Sequence, residues 1–101
     1  MPRKKPAPDV YLLALERLRL PPASCLVVED SRKGLLAAVA AGLRCVVTVS
    51  SYTLEEDVSE ARLVVSDLGE PGAPMTLLAN RSKARPGTYL TLADLEACLE
   101  P

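Results

Sequence analysis

The sequence predicts an α/β fold, specifically a partial Rossmann-like parallel sheet with flanking helices. Three observations lead there. Cys25-Leu26-Val27-Val28 is an unbroken apolar run that ends abruptly in Glu29-Asp30-Ser31, the pattern of a strand buried on both faces. Directly after it, Leu35, Ala38 and Val39 fall at the i, i+3, i+4 spacing of a helix. A second β-branched run, Arg44 to Val49, then follows Gly42. Strand, helix and strand in succession imply right-handed crossovers and parallel pairing.

The first element is a helix from Pro8 to about Arg19, read from Tyr11, Ala14, Leu15 and Leu18 and stopped by Leu20-Pro21-Pro22. Cys25 to Glu29 forms the first strand. Ser31 is the expected N-cap of the second helix, and Gly42 stands just past its C-terminus. Arg44 to Val49 is the second strand. Thr53-Leu54-Glu55-Glu56 has the form of a capping box, and Leu63 to Ser66 reads as a short third strand. Gly69 to Thr88 is rich in Gly, Pro and basic residues, so a long loop is expected there, with a brief strand at Met75 to Leu78. Thr91-Leu92-Ala93-Asp94 starts a last helix ending near Leu99.

Composition removes several function classes. A chain of 101 residues is one small domain at most, and 49% hydrophobic residues argue against wholesale disorder. A formal net charge of −1 gives no electrostatic reason for binding nucleic acid or a membrane surface. No apolar run is long enough for a transmembrane helix, and Met1-Pro2-Arg3-Lys4-Lys5-Pro6 lacks the apolar stretch of a signal peptide. His is absent and no CxxC occurs, so structural zinc is not expected. Cys25, Cys45 and Cys98 read as buried reduced thiols of a soluble intracellular protein.

Glu29 and Asp30 stand at the carboxyl end of a strand just before a helix, where open α/β sheets build their sites. Adjacent carboxylates repel and need a cation, a proton or water to offset them. One reading is a Mg²⁺ site, because Mg²⁺ takes one or two carboxylates plus phosphate and waters. The competing reading is an acidic loop that caps a helix. Lys5 lies upstream between stiffening prolines, just before the first helix.

Together the segments Lys5-Pro6-Ala7-Pro8-Asp9-Val10-Tyr11, Leu26 to Gly34 and Ala37 to Gly42 resemble the haloacid dehalogenase-like hydrolases. The likeness is to the branch holding phosphoglycolate phosphatase, β-phosphoglucomutase and the CbbY-like sugar-phosphate phosphatases. Ser51-Tyr52-Thr53 and Asp67-Leu68-Gly69 draw it toward the CbbY-like group. The resemblance runs from Lys4 to Gly69 and implies residues 1–70 as the C-terminal half of a catalytic core. Residues 71–90 are then a loop or insertion, and 91–101 a C-terminal helix.

By that resemblance Lys5 is catalytic and offsets charge on the nucleophile and the phosphoryl group. Asp30 and Glu29 are the Mg²⁺ residues, Glu29 as ligand or second-shell partner, and Ser31 supports the loop. The expected partner is a small phosphorylated metabolite. The family's Asp-x-Asp-Gly-Thr-type nucleophile segment and its cap domain are missing from the chain. A C-terminal fragment, inactive alone and with a strand edge open to self-association, is the expectation, in the cytoplasm or, for a photosynthetic eukaryote, a plastid. The alternative is a non-catalytic α/β interaction module derived from the family. A receiver-like domain fits less well, because the Arg44–Val49 strand ends in Ser50-Ser51 and not in a phosphoacceptor aspartate.

Overall fold

The computed structural model describes residues 3–49, 56–70 and 72–100. Its helices are α1 (Asp9–Leu18), α2 (Arg32–Ala40) and α3 (Leu92–Ala97), and its strands are β1 (Leu26–Glu29), β2 (Arg44–Thr48), β3 (Leu63–Val65) and β4 (Leu77–Asn80). A turn of 3-10 helix at Pro22–Ser24 leads into β1. The four strands form one sheet in the order β1-β2-β3-β4.

β1, β2 and β3 run parallel, with Val27 opposite Cys45 and Val47 opposite Val64. β4 departs from the expected parallel sheet, because it pairs antiparallel with β3. The reason is the connection: the described residues between Ser66 and Thr76 form no helix, and a parallel return needs a crossover. Ser66 closes that return, its N–H donating to the Thr76 carbonyl at 2.9 Å. β4 also lies two residues later than the brief strand read at Met75–Leu78.

The helix ends follow local chemistry. Ser31 caps α2 by accepting from the Gly34 N–H at 3.1 Å. At the other end Leu43 N–H reaches the Ala38 carbonyl and Gly42, at φ 81°, donates to Val39, a left-handed stop that favours glycine. Thr91 and Asp94 form a reciprocal capping box on α3. The capping box read at Thr53–Glu56 lies largely outside the described residues.

Strand alternation sorts the core into two clusters. Cys45, Val47 and Val64 pack with Leu35 and Ala38 under α1 and α2. On the opposite face Val46, Leu63 and Val65 pack with Met75, Ala84 and Cys98 from the C-terminal third. That third is therefore a cover for the sheet, and Arg62 fastens it by donating to the carbonyls of Cys98 and Glu100 at the end of α3. β1 stands at one edge of the sheet, with no described strand on its outer side.

Candidate active site

The site is built at the carboxyl end of β1. Strand alternation turns Glu29 toward the helical face, beneath the first turn of α2, and it is the one buried charged residue among those described. A buried carboxylate must be paired and hydrogen-bonded to be tolerated. Lys5 meets the need, its Nζ 2.5 Å from Glu29 Oε2, and the Tyr11 hydroxyl donates to that same oxygen. Lys5 Nζ also stands 5.2 Å from the centroid of the Tyr11 ring, within reach of cation–π attraction.

The lysine is delivered by a braced turn. Ala7 N–H bonds the Lys4 carbonyl at 3.1 Å across a cis Lys5–Pro6 peptide. Arg3 grips Asp9 through NH2 and Nε at 3.0 and 3.1 Å, tying the turn to the start of α1. Arg3, Lys4, Lys5 and Val10 line a hollow of about 430 Å³ beside this turn.

Gly34 makes room for the Glu29 carboxylate. A Cβ there would stand 2.8 Å from Glu29 Oε2 and closer still to Oε1. The missing side chain is the space that the carboxylate occupies. Charge and burial also shift the neighbours. Burial, and then the Glu29 charge, hold the Tyr11 hydroxyl in its protonated form well above the ordinary tyrosine range. The same two causes push the buried Cys45 thiol up to about 12.

Of the residues singled out in the sequence, the structure brings Lys5 and Glu29 into contact and leaves Asp30 apart. The Glu29 carboxylate is occupied by Lys5 and Tyr11, which places it behind the lysine. Asp30 is exposed, and no described side-chain hydrogen bond involves it. Ser31 holds the connecting loop through its cap. No group of three or more candidate metal-binding side chains occurs among the described residues. Mg²⁺ commonly keeps several waters and is held by one or two carboxylates beside substrate phosphate; at this strand end the exposed carboxylate is that of Asp30.

Two contributors escaped the sequence reading. Arg32 donates to the Asp57 carbonyl at 2.5 Å and to Glu60 Oε1 at 3.2 Å, pinning the 56–60 loop. Nothing local in the sequence announces contacts across that separation. Tyr11 stands in the apolar stripe of α1 and in the Lys5–Tyr11 segment, and neither gives its hydroxyl a partner.

A family model for haloacid dehalogenase-like hydrolase matches residues 1–42. Protein CbbY of Rhodobacter capsulatus is 61% identical over 66 residues, covering 65% of this chain and 29% of that protein. Phosphoglycolate phosphatase of Pseudomonas putida is 36% identical over 96% of this chain and 34% of its own length. A mutant of CbbY from Rhodobacter sphaeroides, solved in complex with xylulose-(1,5)bisphosphate, superimposes with a TM-score of 0.63 at 42% identity, over 69% of this chain and 32% of that one. The chain thus spans about a third of the length of these relatives. No described helix is long and apolar enough to cross a membrane. Family model, relatives and solved structures agree in likening this chain, over part of its length, to the haloacid dehalogenase-like hydrolases and, within them, to CbbY.

Proposed function

We propose that this chain is the C-terminal part of the catalytic core of a Mg²⁺-dependent phosphohydrolase acting on a small sugar phosphate or a related phosphate monoester. The observation that carries the reading is the Lys5 ammonium held on the buried Glu29 carboxylate, with the exposed Asp30 carboxylate next in sequence. Lys5 is partly exposed and also lines the hollow beside Glu29, where an anionic phosphoryl group would meet its charge. Asp30 is the proposed metal ligand. Glu29 supports it from behind while keeping Lys5 in place, and Ser31 fixes the loop that carries both acids. Bound Mg²⁺ would supply charge neutralisation and Lewis acidity at the phosphoryl oxygens. The reading divides the chain into core (1–70), insertion (71–90) and C-terminal helix (91–101), in an intracellular setting suited to three free thiols. The bisphosphate complex of a CbbY relative supports a phosphorylated sugar as the substrate class.

No Asp-x-Asp segment occurs in the sequence, and without that nucleophile the covalent route is closed. The isolated chain is expected to be inactive. The second reading is a non-catalytic α/β interaction module derived from the family. A chimera separates the two: residues 4–69 replace the matching segment of Rhodobacter capsulatus CbbY, and Mg²⁺-dependent hydrolysis of an aryl phosphate is measured. The chimera should turn over, and Lys5→Ala or Asp30→Ala should each lower kcat by about a hundredfold or more. A well-folded chimera without activity, or one indifferent to Lys5→Ala, sinks the enzymatic reading.

A further inference from the structure

We infer that Tyr11 is a positioning residue of this site, one that locks the Glu29 carboxylate and thereby fixes the Lys5 ammonium toward the phosphoryl position. The inference rests on the assignment of Lys5 to phosphate proposed above.

Each oxygen of Glu29 has a defined place. Oε2 takes both the Lys5 ammonium and the Tyr11 hydroxyl, and Oε1 lies in the notch left by Gly34. Lys5 alone would be a weak anchor, because its side chain is 40% exposed and an exposed ammonium on a flexible stem exchanges readily with water. A phenol gives up little conformational freedom and donates from a fixed direction. From a half-buried seat it therefore keeps the carboxylate in one orientation whether or not the lysine is engaged.

The ring supports the second partner as well, since Lys5 Nζ lies 5.2 Å from its centroid. Tyr11 sits in the first turns of α1, directly after the turn that Arg3 and Asp9 brace. Donor, ring and lysine thus belong to one short braced segment, and Lys5 and Tyr11 converge on the same carboxylate of β1. A tyrosine serving only as core filler would have no reason to aim its hydroxyl at the one buried acid. A phenylalanine would fill the same volume and leave Glu29 one donor short.

The test uses the 101-residue chain with ¹⁵N-labelled lysine, so that the ammonium signals of Lys4, Lys5, Lys33 and Lys83 are followed separately. In the parent chain the Lys5 ammonium should exchange with solvent more slowly than the other three. Tyr11→Phe should raise the Lys5 exchange rate about tenfold, the scale of one charge-assisted hydrogen bond, and leave the other lysines unchanged. A thermal melt accompanies each variant. Should Tyr11→Phe fail to fold, Gly34→Ala, which pushes Glu29 from its notch, must release Lys5 in the same way. Lys5 exchange within twofold of the parent in a folded Tyr11→Phe chain overturns the inference, as does an unaffected Lys5 in Gly34→Ala. Titration of the parent chain with Mg²⁺ and inorganic phosphate is a separate arm. A Lys5 signal that ignores phosphate contradicts the assignment of Lys5 to phosphate and leaves the exchange result to judge Tyr11 alone.

Discussion

The two faces of the sheet are made by alternate residues of the same strands, yet they are held together differently. On the helical face Val27, Cys45, Val47 and Val64 share their layer with Glu29. That buried carboxylate is tolerable only because a lysine, a tyrosine and a glycine are arranged around it. On the opposite face Val46, Leu63 and Val65 meet Met75, Ala84 and Cys98, with no buried charge among the described residues. Apolar packing is non-directional and tolerant. A charge with fixed partners is neither, and a slip of one residue in β1 would move Glu29 to the other face. The helical face therefore sets register and site geometry, and the C-terminal face mainly adds burial.

Substitutions should show the two modes separately. Leu63→Ala empties a fully buried position on the apolar face and should cost about 2–5 kcal/mol in denaturant unfolding, with the Lys5–Glu29 contact unchanged. Glu29→Gln keeps shape and removes charge, and should cost about 1–2 kcal/mol while releasing Lys5. If Leu63→Ala loosened Lys5 as much as Glu29→Gln does, the faces would not be separable.

Alkaline pH should read the same contrast at smaller amplitude. Burial, and then Glu29, raise Cys45 to about 12; burial also raises Cys98, opposed by Ser82 and Arg62. A thiol whose folded pKa lies above its unfolded value contributes stability that is whole below about pH 9 and is lost as pH rises through the folded value. Stability should thus fall between about pH 9 and the Cys45 value of about 12, by about 1.4 kcal/mol per pH unit for each proton involved. Tyr11, also raised, adds to the fall at the upper end. Cys45→Ala should flatten the profile more than Cys98→Ala, as followed by pH-dependent unfolding. An equal effect of the two would remove Glu29 as a cause.

The smallest effect on stability is expected at the outer edge of β1. Its backbone groups have no described strand partner and Val28 is 47% exposed, a template for pairing with a second copy. Light scattering on the parent chain should show association. Val28→Lys should restore a monomer while shifting stability by no more than about 0.5 kcal/mol. A parent chain that is already monomeric would show the edge to be covered.

The β1–α2–β2 unit was legible because each of its signals is local: an apolar run, a Ser31 cap and a Gly42 stop. Thr91 and Asp94 announced α3 for the same reason. The direction of β4 was not legible, since Leu77 and Leu78 are both exposed on an edge strand and leave no alternation to read. Lys5 and Glu29 could be singled out by residue type and position, but not their contact. That contact depends on the Tyr11 hydroxyl and the notch at Gly34, both of them products of tertiary packing.

The most direct test of the proposed site is paramagnetic broadening of the 101-residue chain by Mn²⁺, standing in for Mg²⁺, in the presence of inorganic phosphate. Broadening should centre on Asp30 and spread to Ser31 and Lys5, with the Glu29 carboxyl signal retaining its Lys5 and Tyr11 contacts. Broadening centred on Asp67 and Glu70, or on Asp57 and Glu60, with Asp30 untouched, would contradict the assignment of this loop as the metal-binding half of the site.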